Sequence, residues 1–83
     1  MKTIQFSVLE SLQVHVCQIL LRIGTNPKIS ISRAEPIIGH GDCVQISFTP
    51  PSEHTFTEVR KWLASLEEVQ QVFRIELRDI ITD

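Results

Sequence analysis

Cysteine is scarce: Cys17 and Cys43 are the only two in 83 residues, and they form no C-x-x-C pair. That usage lacks the density of a secreted disulfide scaffold and points to a reducing, cytoplasmic compartment. Long apolar runs are missing as well, and nothing approaches the roughly 20 consecutive residues that a transmembrane helix needs. Met1-Lys2-Thr3 passes straight into alternating residues, which is not the pattern of a secretory signal. Charge of one sign is nowhere concentrated. Eight basic and ten acidic residues give a net charge of -2, which argues against nucleic acid or an anionic membrane surface as the main partner, and with no long apolar run no direct membrane insertion is expected.

What is present is ordinary for a globular chain, with 42% apolar and 22% charged residues, enough for one compact core and too little for a second domain. Residues 1–83 are therefore expected to form a single domain with its core at about 3–78. A core this small is marginal, so a partner domain or a second copy is expected to supply further burial.

Ile4, Phe6 and Val8 alternate with Thr3, Gln5 and Ser7, the period of two of a strand with one buried face. Leu12, Val16, Ile19, Leu20 and Ile23 then recur at spacings of three and four, the mark of a helix. Ser11 suits its N-cap and Gly24 its left-handed stop. Val14, Cys17 and Leu21 widen the apolar arc, so the helix is expected to be deeply set. Ile29 and Ile31 mark a second strand, and Gly39-His40-Gly41-Asp42 a hairpin tip. Val44, Ile46 and Phe48 mark a third strand, closed by Pro50-Pro51. Thr55-Phe56-Thr57-Glu58 fits a capping box opening a helix whose stripe is Phe56, Val59, Leu63 and Leu66. Phe73, Ile75 and Leu77 alternate with Arg74, Glu76 and Arg78 as the last strand. The order strand, helix, strand, strand, helix, strand predicts an α+β, ferredoxin-like βαββαβ domain, with both helices on one face of a four-stranded antiparallel sheet.

One sheet face is then left over, carrying Gln5, Ser7, Lys28, Ser30, Ser32, Gln45, Ser47, Arg74, Glu76 and Arg78. It holds no aromatic on which a base could stack, since Phe6 and Phe48 have core parity. A small hydrolase would need a glycine-rich phosphate cradle after the first strand, where Leu9-Glu10-Ser11 stands instead. No catalytic residues and no cofactor are expected. A nickel or zinc site is the alternative, drawing on His40, Asp42 and Cys43 at the hairpin tip and on His54. Trp62, the only tryptophan, reads either as the edge of the core or as an interface anchor.

The alternating Ile4-Phe6-Val8, Arg22-Ile23-Gly24 after a long helix, Asn26-Pro27-Lys28-Ile29 leading into the second strand, and Val69 to Val72 in a V-x-x-V spacing resemble ACT-like regulatory domains. The strands and hairpin are also similar in rhythm to the C-terminal ACT-like domains of MgtC/SapB-type membrane proteins. The resemblance implies a regulatory or dimerisation module of a larger transporter, enzyme or regulator, pairing with a second copy. It places any small-molecule ligand near Glu10, Ser11 and Asn26. Amino-acid-binding members carry a glycine between first strand and first helix, and Val8-Leu9-Glu10-Ser11-Leu12 has none.

Overall fold

A computed structural model describes residues 2–22 and 28–79. The strands are β1 (Lys2–Leu9), β2 (Lys28–Arg33), β3 (Cys43–Thr49) and β4 (Val72–Asp79), and the helices are α1 (Gln13–Arg22) and α2 (Glu53–Glu68). The sheet order is β2-β3-β1-β4 with every neighbouring pair antiparallel. Each helix therefore links two strands that have a third strand between them, and the two split units interlock into the ferredoxin-like fold.

Register explains the core. Ile4 stands opposite Phe48, Phe6 opposite Ile46 and Val8 opposite Val44, so the alternating apolar residues of the two central strands share one face. Val16 and Leu20 of α1, and Val59 and Leu63 of α2, join that same cluster. Both helices thus lie on one side of the sheet. Trp62, Phe56 and Leu66 pack against the cluster half-buried.

Several local expectations are corrected. Ser11 does not cap α1: it lies inside a short 3-10 turn, Glu10–Leu12, whose start at Leu9 has no side-chain cap. The cap of α2 is Ser52, not Thr55. Ser52 Oγ accepts the Thr55 amide at 3.2 Å and lies 3.0 Å from Thr55 Oγ1, while Thr55 itself is buried in the first turn. Pro50 and Pro51 end the strand so abruptly that the helix begins at Glu53, ahead of the T-F-T-E pattern. Removing the cap with Ser52→Ala is expected to cost about 1 kcal/mol, read as a lowered midpoint in urea. Gly24 and Asn26 lie outside the described residues.

Helix α2 ends in a Schellman motif. The Gln71 amide reaches the Leu66 carbonyl at 3.0 Å and the Gln70 amide reaches Glu67 at 3.1 Å, which requires a left-handed residue between them. That residue is Gln70, at φ 59°. A side chain there costs about 1 kcal/mol relative to glycine, so Gln70→Gly is expected to raise the thermal midpoint by a few degrees.

The last strand departs most from a simple alternation. Between Gln5 and Ser7 the β1–β4 register shifts, and Arg74 sits at φ 56°, so β4 carries a bulge. Parity reverses there. Val72, opposite Val8, is in the core, whereas Phe73 stands opposite Ser7 on the other face. The face expected to lack aromatics therefore carries one, and Arg74 leaves the alternation for the bulge.

Candidate functional site

Two parts of the surface merit a functional reading. The first is the end of the sheet where β1 stops and β3 begins. Here the β1–β3 ladder runs one step further, with the Glu10 amide donating to the Asp42 carbonyl at 3.1 Å. The hairpin closes on itself through an Ile37–Gly41 bridge and a His40 amide bond to the Ile37 carbonyl at 2.9 Å. Gly39 and Gly41 make the turn at φ 88° and 82°, values that suit glycine alone without strain. Arg74 Nη1 donates to the Glu35 carbonyl at 3.3 Å, and the His40 and Phe73 rings lie 5.0 Å apart between centroids. The hairpin is thereby tied across the sheet end to β4.

Between the hairpin and the 3-10 turn lies an open cleft of about 450 Å³ lined by Leu9, Glu10, Ser11, His40 and Asp42. It brings together two groups of residues that the sequence keeps some 30 positions apart: the Glu10–Ser11 pair and the His40–Asp42 pair. Cys43 does not join them, being buried with its Sγ directed at the Gly41 carbonyl at 3.8 Å. His54 follows the far end of β3, on the first turn of α2. Among the described residues, no three His, Cys, Asp or Glu side chains are placed to hold a metal ion.

The second part is the flank formed by α1 and β2. Val14 is 66% exposed, Leu21 59% and Ile31 46%, so α1 is not deeply set on all of its apolar arc. At about 100° per residue, Val14 and Leu21 lie about 100 to 160° around the helix from Val16 and Leu20, with half-buried Cys17 between. A right-handed crossover carries α1 over the half of the sheet that ends in β2. In a right-handed helix descending there, the Val14–Cys17–Leu21 side turns toward β2 and the Ile19 side toward α2. Burial holds the Cys17 thiol's pKa above its usual 9.0, so it stays protonated at neutral pH.

Strand β2 is the edge this flank borders. It is regular over six residues, pairs among the described residues only with β3 and has five exposed residues. The Ala34 amide points at the Cys43 carbonyl. By alternation Ser32, Ser30 and Lys28 also face β3, leaving the N–H and C=O groups of Ile29, Ile31 and Arg33 turned outward. The other edge, β4, is protected by its bulge and by Arg74, Glu76 and Arg78. The two edges thus differ in kind.

Of the residues singled out from sequence, Glu10, Ser11, His40 and Asp42 share the cleft, Trp62 is at the core edge, and Asn26 is outside the described residues. The α1–β2 flank was not foreseen as a site. Its signal was the excess width of the apolar arc on α1, wider than one sheet face covers. Comparison with protein-family models, curated proteins and solved structures finds no match to this chain. No helix among the described residues is long and apolar enough to cross a membrane.

Proposed function

We propose that this chain is a non-catalytic association module of the ACT-like kind, which pairs with a second copy and so joins or regulates the larger protein or assembly that uses it. The observation that carries this reading is the α1–β2 flank. An unbulged edge strand with outward backbone donors and acceptors carries exposed Ile31, and Val14 and Leu21 of α1 are exposed as well. Burying those three side chains is worth about 1.5 to 3 kcal/mol each on complete removal from water, a gain that an isolated small domain forgoes. A second copy offers the same strand and the same stripe, which is how closed dimers form.

Sedimentation equilibrium tests the reading. The weight-average mass is expected to rise with concentration from the 9.5 kDa of one chain toward twice that value. A mass fixed at one chain up to millimolar concentration would remove it.

The cleft supports a ligand-sensing role for the same module. Glu10 and Asp42 contribute carboxylates, Ser11 a hydroxyl and His40 an imidazole, to one solvent-open cleft. That lining suits a small cationic or hydrogen-bonding ligand better than a phosphate, which the two carboxylates would repel.

A further inference from the structure

We infer that the hairpin between β2 and β3 is a hinged strap, latched to β4 through Arg74 and Phe73, which opens at the sheet end without unfolding of the domain and uncovers Cys43 and Ser7. It acts on the sheet face turned away from both helices, and so apart from any pairing of copies. The odd-numbered residues of β3 lie on that face, with Cys43 opposite Leu9, Gln45 opposite Ser7 and Ser47 opposite Gln5. Ser30 and Ser32 are exposed there, yet Ser7 and Cys43 are buried. Neither helix covers them. The hairpin is the segment placed to do so, because it reaches β4 from β2 and β3 and must pass the end of β1, which stands between.

Its attachments are of two kinds. At its roots the backbone holds it, with the Glu10 amide donating to the Asp42 carbonyl at 3.1 Å and the Ala34 amide directed at the Cys43 carbonyl at 3.4 Å. Its hold on β4 is made by side chains: Arg74 Nη1 donates to the Glu35 carbonyl at 3.3 Å, and the His40 ring packs against Phe73. Arg74 and Glu35 are exposed, so water competes for that hydrogen bond. Ile38 at the tip is fully exposed and packs on nothing. Gly41, at φ 82°, adjoins Asp42 where the strap leaves the ladder and serves as its hinge. Firm roots and a solvent-exposed latch favour local opening, to a population on the order of one per cent.

The latch accounts for an arginine in the bulge. At φ 56° glycine is the easier residue, and a strained conformation persists where its surroundings hold it in place. Here the guanidinium gains the Glu35 carbonyl. His40 also lines the cleft, so the position of the strap sets the shape of that cleft.

Thiol labelling reads the strap. On a Cys17→Ser background Cys43 is the one remaining thiol, buried with its Sγ 3.8 Å from the Gly41 carbonyl. Its rate of reaction with N-ethylmaleimide is followed by mass spectrometry. Arg74→Gly removes the latch and leaves the bulge to a residue that favours it, so Cys43 is expected to react about five- to tenfold faster while the thermal midpoint does not fall. His40→Ala, which removes the ring contact from the strap side, is expected to accelerate labelling to a similar extent. Local opening exposes little surface, so the parent rate should barely change in dilute urea. A rate that climbs steeply with urea from the start would show that only global unfolding bares Cys43, and would overturn the strap. So would labelling no faster in Arg74→Gly and His40→Ala than in the parent.

Discussion

Replacing Phe48 with alanine is expected to lower the thermal midpoint by about 15 °C or more, leaving a substantial unfolded fraction at 25 °C. Phe48 is fully buried on a central strand, opposite Ile4 on one side and Ile29 on the other. It therefore ties the edge strand to the two central strands within the cluster that both helices also join. Deleting a buried phenyl ring costs about 3–5 kcal/mol, since neighbours relax only partly into the space. Small domains have about 5 kcal/mol or slightly more in total. The loss is thus comparable to the whole stability. Phe73→Ala is the control, because that ring lies half-buried on the opposite face against His40 and its removal leaves no enclosed cavity. Circular dichroism melts of the two variants should separate widely. Equal, large shifts would mean that the bulge in β4 does not turn Phe73 away from the core.

Ile31→Lys is expected to weaken self-association by about a hundredfold or more without changing the melt of the single chain. Its side chain is 46% exposed in the single chain and would be enclosed where a second copy docks on β2 under the proposed pairing. A dimer contains the residue twice, so a loss of about 1.5 kcal/mol per copy amounts to about 3 kcal/mol, or roughly two decades in Kd. Leu77→Lys is the matched control. Leu77 is exposed to a similar extent, 41%, but sits on the bulged β4 edge. Light scattering across a dilution series should show dissociation for the first variant and none for the second. If both dissociate alike, or neither does, the two edges are not different in the way described.

Much of the fold was legible because alternation survives on the two central strands: Ile4, Phe6, Val8, Ile46 and Phe48 are all fully buried. Period-two and period-3.6 patterns follow directly from strand and helix geometry, so they appear in any sequence that builds a half-buried element. The last strand misled because a bulge inserts one residue and reverses parity, and Phe73-Arg74-Ile75 gives no glycine to mark it. The start of α2 misled because two threonines and a glutamate imitate a cap that Ser52 already provides. The cleft could not be assembled from sequence, since whether Glu10 meets Asp42 depends on how far the β1–β3 ladder runs. Nor could the α1–β2 flank: an apolar arc shows that something must cover it, while the covering surface depends on the crossover and the strand order.

The central claim, that the β2 edge is where the module pairs, is tested most directly by residue-resolved amide exchange at two protein concentrations. The Ile29 and Ile31 amides point outward from a free edge, so they should exchange rapidly in dilute protein. In concentrated protein they should become protected as the second copy accepts their hydrogen bonds, while outer-edge amides of β4 stay fast. Exchange at Ile29 and Ile31 that is equally rapid at both concentrations, in protein that has associated, would contradict the account.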